Sequence, residues 1–223
     1  MSEILRLENV KYDYQTKAGV VHALRGVSVG FEEGVLYAIV GRSGSGKSTM
    51  MSLCAGLDVP AEGEVLYRDR SLREMDRAAF RREKAGMIFQ SFYLLPQLTA
   101  AENVELSLEL SHYPGDRHAR ALALLESVGL TAFHGKKRSL QLSGGEQQRV
   151  AIARALGPDP EIILADEPTG SLDNENSGIV IGLLKELAHQ QGKCVIVITH
   201  AAEIAAEADR IYHMSDGVLR AEA

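Results

Sequence analysis

Residues 41–50, GRSGSGKSTM, decide the fold of this chain. They set three glycines and three serines around one lysine, directly after the apolar run GVLYAIV at 34–40. The stretch fits the pattern G-x-x-x-x-G-K-[ST], in which glycines let backbone N–H groups turn toward an anion. The run STMMSLCAGL that follows is typical of a helix, whose N-terminus adds a positive dipole end. The sequence therefore predicts a phosphate-binding loop between a buried strand and a helix.

The composition restricts the partners of the chain. Its 223 residues carry 24 Lys plus Arg against 30 Asp plus Glu, a net charge of −6. An acidic chain is a poor match for a nucleic-acid backbone, so we expect no nucleic-acid partner. The cysteines, Cys54 and Cys194, lie in apolar segments and favour free thiols in a reducing compartment. No apolar run approaches the ~20 residues of a membrane span, and the acidic N-terminus is not typical of a signal peptide.

Two kinds of strand pattern occur along the chain. Residues 4–10 and 27–31 alternate apolar and polar side chains, as antiparallel strands with one wet face do, and 62–67 is a shorter candidate. Four nearly continuous apolar runs indicate parallel strands covered on both faces; they are 34–40, 85–90, 161–166 and 193–199. Helical patterns between these runs predict an α/β fold with a parallel sheet.

The chain divides into a core and an insertion. We expect residues 1–90 and 158–223 to form an α/β core with an antiparallel β subdomain, closed by a hairpin at 210–219. Residues 91–157 read as helices broken by proline and glycine, and they predict an inserted α-helical subdomain.

A pair of acids follows one of the buried runs. EIILAD at 161–166 ends in Asp166, and Glu167 comes next. Strand ends in an open α/β sheet face the ligand crevice, so Asp166 is placed to hold Mg²⁺ and Glu167 to deprotonate water. Lys47 would reach the phosphates, and Ser48 would offer its hydroxyl to Mg²⁺. The alternative for the two acids alone is a solvated turn.

A second anion site is predicted at 142–149, LSGGEQQR. Ser143 and Glu146 have the spacing of a capping box, which opens a helix running to Gly157. Two glycines at that helix N-terminus leave its backbone N–H groups open to an anion. An ordinary well-capped helix is the alternative that the capping logic leaves open.

LSGGEQQR resembles the signature sequence of the ATP-binding cassette (ABC) family, and the other motifs of the family occur in order. GRSGSGKST resembles Walker A, Gln90 the Q-loop glutamine and ILADEP Walker B. Ser171-Leu172-Asp173 resembles the D-loop, and His200 the switch histidine. Tyr14 stands where the family stacks an aromatic ring on adenine, and Tyr12 is the other candidate.

The resemblance implies a P-loop NTPase fold with a RecA-like parallel-sheet core, and an ATPase that uses ATP and Mg²⁺. It also implies a head-to-tail dimer with a second copy, each ATP lying between Walker A of one copy and the signature of the other. The implied metal ligands are Ser48, Gln90 and Asp166, and the implied catalytic residues are Lys47, Glu167 and His200. The implied nucleotide-contacting residues are Tyr14, Gly41, Ser43, Gly44, Ser45, Gly46, Lys47, Ser48, Thr49, Gln90, Ser143, Gly144, Gly145, Glu146, Asp173 and His200.

The segment after Gln90 predicts what the energy of ATP hydrolysis drives. FQSFYLLPQLTAAENVEL at 89–106 and DEPTGSLD at 166–173 are similar to the ATPase subunits of lipoprotein-releasing and macrolide-exporting transporters. Such subunits serve a transmembrane permease with a large extracytoplasmic domain. The apolar side chains of Phe92–Leu95 would then dock that permease beside Gln90, on the cytoplasmic face of the membrane. Alternatively, they form the core of the subdomain.

Non-transport ABC ATPases are the alternative function. Those of DNA repair carry long coiled coils before the signature, and the spacing from Gly46 to Ser143 is too short for one. Translation factors usually join two cassettes and are basic, unlike this chain. Cell-division relatives share the pattern and remain open.

Overall fold

The structure, a computed structural model, describes residues 3–17 and 19–222 and contains two β-sheets. In chain order the strands are β1 Glu3–Thr16, β2 Gly19–Glu32, β3 Leu36–Val40, β4 Glu62–Tyr67, β5 Arg70–Ser71, β6 Ala85–Phe89, β7 Ile162–Asp166, β8 Cys194–Thr199, β9 Arg210–Ser215 and β10 Val218–Ala221. An antiparallel sheet has the order β2-β1-β4-β5, and a six-stranded sheet has the order β10-β9-β3-β8-β7-β6. Strands β9, β3, β8, β7 and β6 run parallel, and β10 pairs antiparallel at the edge.

The helices lie between and around these strands. They are α1 Lys47–Cys54, α2 Arg77–Glu83, α3 Ala100–Leu110, α4 Arg117–Ser127, α5 Ala132–Gly135, α6 Gly144–Leu156, α7 Asn174–His189 and α8 Ala202–Glu207, with a 3-10 turn at Ser139–Gln141. Helices α3 to α6 fall within 91–157, and the division of the chain into a core and an inserted subdomain stays a prediction.

Both faces of the parallel sheet are buried, which explains its apolar runs. On β7, Ile162 and Leu164 belong to a core that also holds β1, β2 and α1, while Ile163 and Ala165 face the core of α3, α4, α6 and α7. Each of these four side chains is fully buried. Because successive strand residues point to opposite faces, a strand covered on both sides must be apolar throughout.

The predicted strand types are confirmed. Strand β7 ends at Asp166, because Glu167 turns the backbone to a positive φ of 49°. The short elements β5 and α2 were not predicted. Cys54 and Cys194 are free and buried, and burial raises the pKa of Cys54 to about 12.

Candidate functional site

A cleft of about 830 Å³ lies where four parallel strands end. Val40 ends β3, Phe89 ends β6, Asp166 ends β7 and Thr199 ends β8, all at the same edge of the sheet. The cleft is lined by Tyr14, Val21, His22, Ala23, Gly41, Arg42, Ser43, Gly44, Gly46, Lys47, Ser48, Thr49, Phe89, Gln90, Ser91, Tyr93, Asp166, Glu167, Ile198 and His200. This is the crevice outside the carboxyl ends of the strands, where open α/β sheets bind ligands.

The loop at 41–49, here named the phosphate loop, forms one wall of the cleft. Gly46 takes a φ of 110° as the residue before α1, and α1 has no side-chain cap among the described residues. The first backbone N–H groups of α1 therefore have no side chain to accept from them, and they are available to an anion. The Nζ of Lys47 donates to the carbonyls of Gly41 and Arg42 at 2.7 and 3.0 Å. The loop thus concentrates positive charge within the cleft.

Two glycines of this loop leave no room for a side chain. A Cβ at Gly41 would lie 2.2 Å from the carbonyl oxygen of Met214, and one at Gly46 would lie 2.4 Å from that of Ala23. Both distances are far below van der Waals contact. Close packing of the loop against β9 and β2 therefore requires glycine at both positions.

The two acids occupy different environments. Burial raises the pKa of Asp166, as does the charge of Glu167, while Lys47 and a hydrogen bond with Ser48 oppose that shift. The carboxylate of Glu167 is only 17% exposed, and its Oε1 lies 2.7 Å from Nδ1 of His200. The backbone N–H of His200 also donates to Glu167 Oε2 at 3.3 Å. The end of β7 and the end of β8 therefore hold one carboxylate between them.

Gln90 lines the same cleft as the phosphate loop, and its side chain packs against Gly170. Its Nε2 would be 2.9 Å from a Cβ at Gly170, so the glycine makes space for the amide. The Oγ of Ser171 donates to the carbonyl of Gln90 at 3.3 Å. The segment after β7 therefore supports the loop that carries Gln90.

The two tyrosines of β1 differ in their contacts. Tyr12 donates a hydrogen bond to Asp58, which together with burial raises the pKa of Tyr12 to about 12. Tyr14 is 46% exposed and lines the cleft, with its hydroxyl 3.2 Å from Oγ1 of Thr49. The Tyr12 ring packs edge-on against Tyr14 at 5.0 Å. Of the two, Tyr14 presents its ring to the cleft.

The predicted signature residues lie outside this cleft. Ser143 precedes α6, where its Oγ accepts from the N–H of Glu146 at 3.2 Å and Glu146 Oε2 accepts from the N–H of Ser143 at 2.7 Å. Ser143 and Gly144 are exposed, whereas Gly145 is buried against Asn176, whose Oδ1 would lie 1.9 Å from a Cβ at that position. The capping box is confirmed.

Asp173 also acts as a helix cap. Its Oδ1 accepts from the backbone N–H of Asn176 at 2.8 Å, and this bond lowers the pKa of Asp173. Arg149 donates to Asn176 Oδ1 at 3.2 Å. The N-terminus of α7 is therefore tied to α6.

The structure thus separates the predicted site residues into two groups. Those in the cleft are Tyr14, Gly41, Ser43, Gly44, Gly46, Lys47, Ser48, Thr49, Gln90, Asp166, Glu167 and His200. Those outside its lining are Ser45, Ser143, Gly144, Gly145, Glu146 and Asp173. The lining residues that sequence reasoning missed are Val21, His22, Ala23, Arg42, Phe89, Ser91, Tyr93 and Ile198. Arg42, Phe89 and Ser91 adjoin motif residues, at positions where the motifs do not specify a side chain. Val21, His22 and Ala23 lie on β2, far from any motif in the sequence, and no sequence signal marks them.

A sequence profile described as "ABC transporter" matches residues 24–170 of this chain. The chain belongs to the ABC transporter family. Among its relatives, the uncharacterized ABC transporter ATP-binding protein MJ0796 of Methanocaldococcus jannaschii is 42% identical over 227 residues, which cover 98% of this chain and 96% of that protein.

Other relatives are longer than this chain. The pyoverdine export ATP-binding/permease protein PvdT of Pseudomonas entomophila is 49% identical over 201 residues, which cover 88% of this chain. The match spans only 30% of the length of PvdT. These relatives support the predicted subfamily.

Solved structures agree with the fold. The ATP-binding cassette MJ0796, determined as a dimer in a post-hydrolysis state bound to ADP and Pi, matches with a TM-score of 0.90 and 42% identity over 98% of this chain and 97% of that one. The predicted α/β ABC ATPase fold is confirmed. The chain is accordingly an ATP-hydrolysing subunit of the ABC transporter family. Across residues 3–17 and 19–222, no helix has both the length and the hydrophobicity of a membrane span.

Proposed function

We propose that two copies of this chain hydrolyse Mg-ATP at their shared interface, each copy completing the site of the other. The observation that carries this proposal is that the cleft and the N-terminus of α6 lie apart in one chain. The cleft holds the phosphate loop and the acids, while the exposed Ser143 and Gly144 lie at another helix N-terminus outside it. A second copy docked head to tail would bring Ser143 and Gly144 of one chain, with Gly145 and Glu146 behind them, to the nucleotide of the other.

In this proposal the phosphate loop binds the nucleotide. The N–H groups at the start of α1 and the Lys47 ammonium neutralise phosphate charge. Ser43, Gly44, Ser45 and Thr49 shape the loop around the phosphates. Tyr14 stacks on the adenine; Tyr12 is held by Asp58 and supports the Tyr14 ring from behind. Asp173 lies at the contact between the copies.

Mg²⁺ is the metal that fits the oxygen donors of the cleft. Ser48 supplies a hydroxyl, Gln90 an amide oxygen and Asp166 a carboxylate, and the carboxylate already bonds the Ser48 hydroxyl. Within the described part of the chain, no group of three or more His, Cys, Asp or Glu could hold a metal. Mg²⁺ typically takes one or two carboxylates and completes its shell with substrate phosphates and water. When bound, the ion would neutralise charge on the phosphate oxygens.

Glu167 is the general base of the proposed mechanism. Its carboxylate takes a proton from a water molecule, whose oxygen bonds to the γ-phosphorus as the bond to the bridging oxygen of ADP breaks. His200 bonds Glu167 Oε1 and so orients the carboxylate. Because Nδ1–H already donates to Glu167, the other ring nitrogen, Nε2, donates to the γ-phosphate in the doubly protonated imidazolium form of His200.

A transmembrane permease with an extracytoplasmic domain is the proposed partner that receives this energy. Tyr93 and Leu95 are 64% and 43% exposed, which is high for apolar side chains, and they lie a few residues beyond Gln90. We place the docking surface at Gln90 and Phe92–Leu95, so that nucleotide state reaches the permease. The subunit would then sit peripherally on the cytoplasmic face of the membrane, in an exporter or a lipoprotein, peptide or haem extrusion system.

The Glu167→Gln variant tests the proposal. We expect ATP binding within about twofold of wild type and at least a hundredfold loss of kcat, because general-base catalysis contributes about 10²–10⁴-fold. The variant should also accumulate as an ATP-bound dimer, measured by light scattering after size exclusion. Glu203→Gln on the surface of α8 is the matched control and should behave like wild type.

Normal turnover of Glu167→Gln would contradict the assigned base. A Glu167→Gln chain that stays monomeric at saturating Mg-ATP, also with its permease present, would contradict the shared site.

A further inference from the structure

The loop that follows Gln90 is strained. Phe92 and Tyr93 have φ values of 54° and 47°, two successive left-handed residues with bulky side chains. Such a conformation costs about 1–2 kcal/mol per non-glycine residue, because Cβ approaches the following carbonyl oxygen. Residues 90–95, here named the Gln90 loop, therefore need external contacts to stay in this form.

Arg154 of α6 supplies one of these contacts. Its guanidinium donates to the carbonyl of Phe92 at 2.7 Å and to that of Tyr93 at 2.5 Å. Arg154 is half-buried, and burial lowers its pKa. Within 3–17 and 19–222, no carboxylate lies within ion-pair distance of it. The planar guanidinium of Arg154 therefore directs its N–H donors to the two carbonyls of the strained pair, Phe92 and Tyr93.

Two further contacts hold the Gln90 loop to its surroundings. The ring of Phe92 lies against α6, since its Cζ would be 4.0 Å from a Cβ at Gly144. On the other side, the fully buried Asn103 accepts from the N–H of Leu95 at 2.8 Å and donates to the carbonyl of Leu95 at 3.1 Å. The loop is therefore clamped between α3 and α6.

Helix α6 thereby connects two parts of the site. Ser143 caps its N-terminus, and Arg154 lies eleven positions later, about 16 Å along the helix. One end of α6 faces the second copy, and the other end holds the loop that carries Gln90. The same helix contacts the loop twice, once at Gly144 and once at Arg154.

We propose that Arg154 is a positioning residue that fixes the Gln90 loop to α6, so that Gln90 and Ser143 take up their places as one unit. This inference rests on the roles proposed above for Gln90 and Ser143. Arg154 touches neither the phosphate loop nor Tyr14, so its loss should affect turnover rather than nucleotide binding by a single copy.

The first test compares Arg154→Met with Arg117→Met, an exposed arginine of α4. We expect Arg154→Met to lower kcat by at least about tenfold, because misplacement of catalytic groups by about 1 Å can cost a hundredfold. The affinity for a fluorescent ATP analogue, measured on dilute chain, should change by less than about twofold. Arg117→Met should keep the wild-type kcat.

The second test separates positioning from general stability. In the Arg154→Met background, Tyr93→Gly removes the left-handed penalty and should restore most of kcat, whereas Tyr93→Ala removes the same ring but keeps the penalty and should not. Relief of this penalty also raises the stability of the whole fold, so kcat is compared at a temperature at which every variant is fully folded. Thermal unfolding of each variant is recorded alongside.

The outcomes distinguish the inference from the proposed function. A wild-type kcat in Arg154→Met, or equal restoration by Tyr93→Ala and Tyr93→Gly, would overturn the role of Arg154. A wild-type kcat in Gln90→Ala would instead overturn the proposed role of Gln90. If Arg154→Met does not fold, Arg154→Lys carries the test. It keeps the charge without the fork, so we expect an intermediate kcat that Tyr93→Gly raises, and a wild-type kcat would contradict the inference.

Discussion

Gly44 and Gly46 of the phosphate loop share a backbone conformation but differ in their surroundings. Their φ values are 77° and 110°, so an L-residue is strained at either position. A Cβ at Gly44 would meet no atom within 4 Å, whereas one at Gly46 would lie 2.4 Å from the carbonyl oxygen of Ala23. The motif requires glycine at position 46, and the structure shows that the reason is contact with the backbone of β2.

This difference predicts unequal effects of alanine. Gly44→Ala should destabilise the chain by about 1–2 kcal/mol, the cost of the left-handed conformation. Gly46→Ala should lose more stability and most of its ATP affinity, because either the start of α1 or strand β2 must shift. Chemical denaturation and nucleotide titration of the two variants measure this, and equal ATP affinities would contradict the steric argument.

Glu167 is another residue whose backbone conformation could not be predicted from the sequence. Its φ of 49° ends β7 and turns the carboxylate toward His200. Strain of this kind is maintained only where the surroundings hold it, here by the bond from the Glu167 N–H to the carbonyl of Ile198 at 2.9 Å. The proposed base is therefore positioned by two neighbouring strand ends, those of β7 and β8.

At the scale of elements, two helices begin with the same capping box. Ser143 pairs with Glu146 at the start of α6, and Thr99 pairs with Glu102 at the start of α3. Both boxes satisfy orphan N–H groups in the same way. Only Ser143 is followed by glycines, which leave its helix end open to a ligand.

The two caps provide a matched pair of variants. Ser143→Ala and Thr99→Ala should each lower the free energy of unfolding by about 1 kcal/mol, the usual cost of a lost cap. Only Ser143→Ala should also lower kcat and weaken the ATP-dependent dimer, since the proposed function places Ser143 against the second copy. Denaturation and ATPase assays on both variants decide this. Equal ATPase activities would show that Ser143 is only a cap.

At the scale of the whole molecule, Glu161 joins the two sheets. Its carboxylate accepts from Tyr67 at 2.9 Å and from Arg68 at 2.7 Å, at the end of β4, and from Lys84 at 3.0 Å, beside β6. Partial burial disfavours the charge, but these three donors together lower the pKa of Glu161 to about 2. The ionised carboxylate therefore stabilises the folded chain.

This pKa predicts a pH-dependent stability. The stabilisation is fully present above the unfolded pKa of about 4.3 and is lost as pH falls through the folded pKa of about 2. Because the side chain remains 29% exposed, we expect Glu161→Gln to lose only about 1 kcal/mol at pH 7. The difference in the free energy of unfolding between Glu161→Gln and wild type should shrink between pH 4 and pH 3, as measured by urea unfolding. A constant difference over that range would contradict the lowered pKa of Glu161 as its cause. The control is Glu74→Gln, a change at an exposed glutamate.

Much of the candidate site was predictable because motifs are local. The glycines of 41–46, the acids after β7 and the capping box at Ser143 each act through neighbouring residues, so their spacing in the sequence reports their chemistry. The contact of Arg154 with Phe92 was not predictable in this way, because it joins residues 62 positions apart and depends on strained backbone. The contact of Asn103 with Leu95 was not predictable either, because it depends on how the Gln90 loop packs against α3.

The sequence by itself determined the strand types, the phosphate loop and the helix start at Ser143, since periodicity, glycine and capping are properties of short segments. Only the tertiary structure decided that Tyr14 rather than Tyr12 faces the cleft, that the signature lies outside it, and that Arg154 supports the Gln90 loop. The physical reason is that burial and hydrogen-bond partners depend on how the two sheets and α6 pack together, and that packing arises only when the whole chain has folded.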